Sequence, residues 1–155
     1  MNNLNKDYAA AGRRTYQRGV TLLELMTVVV IVGILASIAV PSYRNYVLRA
    51  QRSDATSALL RVAAAQEKFY LQNNTYATTA QLTALGVTAT EHGWYTVAIG
   101  NPSATGFTAT ATAPSASPQF GDSGCRTFTI DQSGQRGAGD SGGTSNATIR
   151  DKCWR

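Results

Sequence analysis

Arg18-Gly19-Val20-Thr21-Leu22-Leu23-Glu24-Leu25 puts a single carboxylate just inside a largely apolar run that carries no other charge as far as Val40. An acidic side chain at membrane depth costs roughly 2.5–3.5 kcal/mol on insertion scales and is kept where it finds a partner. The run from Leu22 to Val40 nearly supplies the ~20 apolar residues of a spanning helix. The cations before it, Lys6, Arg13, Arg14 and Arg18, would hold the N-terminus in the cytoplasm. Two other export signals compete. A secretory signal peptide has a basic start, an apolar stretch and a small-residue cleavage site, and Ser37-Ile38-Ala39 could serve as that site, but Glu24 inside the run argues against it. Arg13-Arg14 suggests a twin-arginine signal, yet Thr15-Tyr16-Gln17 lacks the apolar continuation.

Gly19, Val20, Thr21, Leu22, Leu23 and Glu24 behind basic residues resemble the processing site of type IV prepilins and their relatives, the type II secretion pseudopilins. The resemblance implies that a membrane aspartyl prepilin peptidase cuts between Gly19 and Val20 and methylates the new amine of Val20. Val20 departs from the phenylalanine most common at that position. Glu24 would neutralise the Val20 amine of a neighbouring subunit during assembly. Only the surplus of that attraction over desolvation stabilises a filament, so register is the larger gain. Gly33 and Pro41 would permit local unwinding or a kink, since proline removes a helix donor and clashes with the preceding turn. The partners implied are other pilin subunits, the peptidase, an inner-membrane assembly platform and, before assembly, the inner membrane itself.

The charge balance is read with this processing in mind. The 155-residue chain carries a formal +5, but four cations and one acid, Asp7, precede Gly19, so removing residues 1–19 leaves +2. That is no footprint of a protein that coats nucleic acid generally. The expected organisation is a leader over 1–19, an apolar membrane and filament-core helix over 20–41, and one small exported domain over 42–155. Cys125 and Cys153 both fall in the exported part, where oxidising conditions favour a disulfide; two free buried thiols are the alternative. With one histidine, His92, and no Cys-x-x-Cys spacing, no metal site is expected, nor any cofactor.

Beyond Pro41 the pattern becomes amphipathic. Tyr46, Val47, Ala50, Ala55, Ala58, Leu59, Val62, Ala63, Gln66, Phe69 and Tyr70 recur at three- and four-residue spacing, with Arg44, Arg49, Arg52, Arg61, Glu67 and Lys68 mainly opposite. This predicts one long helix whose second half docks on a domain. Asn73-Asn74-Thr75 ends it. A helical turn is expected over Gln81–Leu85, with Gly86 at its end. The period then changes. Tyr95–Ile99, Gly106–Thr112 and Arg126–Asp131 are Thr-, aromatic- and β-branched-rich runs separated by turn residues, which predicts three or four antiparallel strands. Helix first and meander afterwards gives an α+β fold with the helix across one face of the sheet.

The Gly- and Ser-rich stretch from Ser133 through Gly143 reads as a loop, closed at its far end by the expected Cys125–Cys153 bridge with Trp154 beside it. It resembles the disulfide-bounded C-terminal loop of type IV pilins. Glu67-Lys68-Phe69-Tyr70-Leu71-Gln72-Asn73-Asn74-Thr75-Tyr76-Ala77 and Cys125-Arg126-Thr127-Phe128-Thr129-Ile130-Asp131-Gln132-Ser133-Gly134, with Cys153-Trp154 at the end, resemble minor pilins of the PilE and ComP kind. Two functions follow from that resemblance. One is a structural subunit of a pilus, acting in assembly, twitching motility or adhesion. The other is a DNA receptor displayed on the filament, with Arg126, Arg136, Arg150, Lys152, Trp154 and Arg155 as candidate contacts; a pseudopilin is a third. Asp122, Asp131, Asp140 and Asp151 offset those cations to a formal +1, which also suits a plain solvated surface. His92, between Glu91 and Gly93, has no evident nucleophile beside it, so no enzyme is expected.

Overall fold

The computed structural model describes residues 19–155. The expected leader, apart from Gly19, lies outside the described residues. The chain divides into two compact units, Met1–Ala39 and Val40–Arg155.

A single α-helix, α1, runs over Leu22–Asn73. It begins where Thr21 offers its side-chain Oγ1 to the amide of Glu24 at 3.2 Å and its carbonyl to the amide of Leu25 at 3.0 Å, which satisfies amides that a helix start otherwise leaves unpaired. Through the apolar part the two hydroxyl side chains bond their own helix. Thr27 donates to the Glu24 carbonyl at 2.8 Å and Ser37 to the Ile34 carbonyl at 2.7 Å, so neither presents an unpaired hydroxyl. By length and composition α1 is apolar enough near its N-terminal end to cross a membrane. Gly33 and Pro41 both lie inside α1, which stays helical through each of them.

In the Val40–Arg155 unit, Ala55, Ala58, Leu59, Val62 and Gln66 are fully buried at helical spacing. They meet a four-stranded antiparallel meander ordered β1 (Thr96–Gly100), β2 (Thr108–Thr112), β3 (Thr127–Asp131), β4 (Arg136–Gly139). Register puts Val97, Ala111, Phe128 and Ala138 in one row and Ile99, Ala109 and Ile130 in the next. Successive strand side chains alternate faces, so these two rows form the core face. Threonines at 96, 108, 110, 112, 127 and 129 take the other. Alanine facing alanine lets helix and sheet approach closely, while Leu59, Val62 and Phe128 supply about 1.5–3 kcal/mol each on burial. The expected α+β fold, with its helix packed on the sheet, is borne out.

Several local features depart from the sequence reading. Tyr46 and Ala50 are exposed, whereas Arg52 is buried, because a partner from a distant loop draws it inward. The second helix, α2 (Thr79–Ala84), starts with a capping box in which Thr78 and Gln81 satisfy each other's backbone amides; Gly86 follows at φ 69°. A 3₁₀ turn occupies Pro118–Gly121. Within the stretch read as loop lies β4, and beyond it α3 (Ala147–Cys153), started by the Asn146 side chain. Arg136-Gly-Ala-Gly has poor strand propensity. It pairs with β3 because glycine leaves room for threonine: a Cβ at Gly139 would stand 2.5 Å from Thr127 Oγ1.

Buried amides tie the connections down. Gln66 donates to the Ala77 carbonyl at 2.8 Å and accepts from the Ala77 amide at 2.7 Å. Gln119 accepts from the Tyr95 hydroxyl at 3.0 Å and donates to Gln51 Oε1 at 2.5 Å. Burial, then the nearby Asp122 carboxylate, hold the Tyr95 phenol above the usual tyrosine range, so it stays a proton donor to Gln119.

Candidate functional site

In the first unit, Gly19 and Val20 precede α1 and are exposed, as is Glu24 in its first turn. Thr21 and Glu24 stand three apart, the spacing of a helix capping box, in which the glutamate would return a bond to the Thr21 amide. The Thr21 cap escaped the sequence reading, although Thr-x-x-Glu ahead of an apolar run is the signature of such a box. Only half of the box is formed. Thr21 Oγ1 receives the Glu24 amide, but among the described residues the Glu24 carboxylate has no hydrogen bond or ion pair. It is thus available to another group.

In the second unit, Cys125 and Cys153 are bonded, with their Cα atoms 5.7 Å apart across a 28-residue separation. The expected disulfide is borne out. It joins the segment just before β3 to the end of α3. Trp154, the residue that ends α3, donates its indole N–H to the Gly137 carbonyl of β4 at 2.7 Å and meets Phe128 edge-on at 6.0 Å between ring centres. Bridge and indole together press α3 onto β4.

This packing decides which cations share a surface. Arg136, Arg150, Trp154 and Arg155 line one crevice with Asp151. Arg49, Arg52, Lys152 and Arg155 line an adjoining one, also with Asp151. Arg136 holds its guanidinium 5.0 Å from the Trp154 ring centre, and Arg150 Nε donates to Asp151 Oδ1 at 2.8 Å. Asp151 and Arg155 therefore belong to both crevices, with Arg136 and Arg150 in one and Arg49, Arg52 and Lys152 in the other. Arg49, which comes from α1, was missed because it is far from the others in sequence and reads locally as a solvated helix residue.

Arg126 does not join them. Its Nη2 donates to the Phe120 carbonyl at 2.8 Å, its guanidinium lies 3.9 Å from the Phe120 ring centre, and its Nε is buried without a partner. It also stands at the opposite end of the β3–β4 hairpin from Arg136, since its amide bonds the Gly139 carbonyl whereas Arg136 pairs with Ile130.

His92 stacks on Trp94 with ring centres 4.3 Å apart, and its backbone amide donates to the buried Asp54 carboxylate at 3.3 Å. Its Nδ1 lies 3.6 Å from Asp54 Oδ1. Among the described residues, no group of three or more His, Cys, Asp or Glu side chains could hold a metal ion.

Comparison with known proteins brings these features together. The family model described as "Type IV minor pilin ComP, DNA uptake sequence receptor" matches residues 41–129. The chain belongs to the type IV pilin family. A second model, the "Prokaryotic N-terminal methylation motif", matches residues 14–40 of this pilin. Similar proteins include the fimbrial protein EcpC of Eikenella corrodens, 40% identical over 51% of this chain and 50% of the relative. The type II secretion system core protein G of Pectobacterium carotovorum subsp. carotovorum is 42% identical over 48% and 46%. The type IV major pilin protein PilE of Neisseria gonorrhoeae is 46% identical over 38% and 35%. The matches span about half, or less, of these relatives' lengths. Pilins are structural, non-enzymatic subunits, and the expected absence of catalytic machinery agrees with that.

Proposed function

We propose that this chain is a minor subunit of a type IV pilus whose α3–β4 face contacts DNA. A prepilin peptidase removes residues 1–19 and methylates the amine of Val20. Before assembly, residues 20–41 anchor the subunit in the inner membrane with its N-terminus in the cytoplasm, and residues 42–155 lie outside. The assembly platform then moves it into the filament. There Glu24, whose carboxylate has no partner among the described residues, pairs with the Val20 amine of a neighbour. Gly33 and Pro41 are the positions where α1 gives way during that transfer, glycine through its backbone freedom and proline through its missing donor.

One observation carries the DNA reading: Arg136, Arg150 and Arg155 line a crevice with Trp154, and Arg49, Lys152 and Arg155 line the one adjoining it. Phosphate contacts from such a group supply affinity that falls steeply with salt. The description of the family model matching residues 41–129 points the same way. The test is a titration of the full-length, detergent-solubilised protein with duplex DNA across a salt series. Binding that weakens as salt rises supports the proposal, and no salt-dependent binding removes DNA from it. The resemblance to a type II secretion core protein favours a pseudopilus instead. Sheared pili separate the two, because N-methylated Val20 recovered from them places the subunit in a pilus.

A further inference from the structure

The exposed aromatic residues Tyr43, Tyr46 and Phe120 are 69%, 64% and 39% accessible. Tyr43 opens onto a crevice of about 300 Å³ between α1 and the 3₁₀ turn. Arg44 lines it, with Val47, Leu48, Gln51 and Pro118. Among the described residues Arg44 has no hydrogen bond or ion pair, and no acidic residue occurs between Glu24 and Asp54. A cation, a tyrosine and an apolar wall thus share one crevice, with Tyr46 exposed on the same stretch of α1.

The place of this face along α1 suggests what covers it. At 1.5 Å per residue, Tyr43 and Arg44 follow Val40, the end of the apolar run, by about 4.5 and 6 Å of helix axis. The polar layer of a bilayer is ~5–8 Å deep on each side of its hydrocarbon. Tyrosine concentrates at that depth, and basic residues are disfavoured on the translocated side, so an arginine kept there calls for a stabilising contact. We infer that the Tyr43–Gln51 crevice seats the headgroup of an anionic membrane phospholipid, with Arg44 on the phosphate, Tyr43 and Tyr46 at the glycerol level, and Val47, Leu48 and Pro118 against the upper acyl chain. This rests on the membrane-anchored stage of the proposed function. The bound lipid steadies the subunit at the membrane surface until it is drawn into a filament.

The experiment uses the full-length protein in nanodiscs of mixed phosphatidylcholine and phosphatidylglycerol, released intact into a mass spectrometer so that retained lipids are counted. The wild-type protein is expected to retain phosphatidylglycerol preferentially. Arg44→Gln is expected to lower that preference about fivefold, equivalent to the ~1 kcal/mol an arginine gains at an anionic surface. Arg61→Gln removes an exposed arginine further along α1, where Nη2 donates to the Ala89 carbonyl at 3.2 Å, and is expected to leave the preference unchanged. An unaltered preference in Arg44→Gln, or an equal loss in Arg61→Gln, overturns the site. Equal retention of inorganic phosphate by the detergent-solubilised protein reassigns it to a free anion and overturns the lipid. Failure to enter nanodiscs at all overturns the membrane-anchored stage itself.

Discussion

The guanidinium of Arg52 forks onto the carboxylate of Asp122, with Nε 2.7 Å from Oδ2 and Nη2 3.2 Å from Oδ1. Seventy residues separate them in sequence, and both are buried. Nη1 adds a 3.4 Å bond to the carbonyl of Lys152. One α1 side chain therefore grips the disulfide-bounded segment just before each of its cysteines.

Removing one partner of a buried ion pair leaves an uncompensated charge, at about 3–5 kcal/mol. Arg52→Ala is expected to lose stability in that range in urea denaturation. Replacing both, as Arg52→Met with Asp122→Leu, is expected to cost less than either single change, because no buried charge is then left alone. A double variant less stable than each single would show that the fork is worth more than its desolvation.

The 28-residue separation of Cys125 and Cys153 closes a loop worth about 3–4 kcal/mol on the chain-entropy model. Cys125→Ser with Cys153→Ser is expected to lower the melting temperature and to free α3 first, since the bridge and Trp154 hold it on β4. Hydrogen exchange tests the order: faster exchange at Arg150 and Trp154, with β2 still protected, is the expected pattern.

The periodic parts of the fold could be read from sequence, and the paired parts could not. Ala55, Ala58, Leu59, Val62 and Gln66 announce a helix face through spacing alone, and Thr127–Asp131 a strand through alternation. β4 carries no such signal, because Arg136-Gly-Ala-Gly becomes a strand only by pairing with β3. Arg52 looked solvated because its partner lies seventy residues away. The same limit applied to the cationic surface: Arg136, Arg150, Trp154 and Arg155 were visible as a basic C-terminal segment, but neither the arrival of Arg49 from α1 nor the diversion of Arg126 to Phe120 has a local signature.

Asp131 fixes the β3–β4 turn by accepting the Ser133 hydroxyl at 2.6 Å and the Ser133 and Gln135 amides at 2.9 Å each. The Ser133 hydroxyl bond, with those amides, holds its carboxyl below the usual aspartate value of 3.8. A depressed folded-state pKa gives stability that is fully present above the unfolded value and lost as pH falls through the folded one. Stability should therefore decline below about pH 4. Asp131→Asn is expected to flatten that decline, read as urea midpoints over an acid pH series. An unchanged acid limb would assign it to other carboxylates.

Glu24 is expected to matter for assembly and not for cleavage. Its side chain leaves the capping box half open, so Glu24→Ala removes no observed side-chain bond, and the 3.2 Å bond from its amide to Thr21 can persist. Immunoblots should show processed protein at wild-type levels, while sheared pili should be depleted of it. Normal incorporation of Glu24→Ala would mean that its pairing with the Val20 amine is dispensable.

The cationic face makes a sharper prediction through salt than through affinity alone. Each phosphate contact releases counterions and contributes about −0.9 to the slope of log affinity against log salt for duplex DNA. Arg136→Gln and Arg155→Gln are each expected to reduce the magnitude of the slope by about that amount, provided each cation meets one phosphate. Arg150→Gln should change it less, because Asp151 at 2.8 Å already occupies part of that guanidinium. Arg126→Gln separates geometry from mere charge count. It removes the same formal charge from the same C-terminal region, but its guanidinium is committed to Phe120 at the far end of the hairpin. Its slope should match the wild type even where its stability falls. An equal slope change in all four variants would mean that DNA responds to net charge, and that the crevice beside Trp154 is not where its phosphates lie.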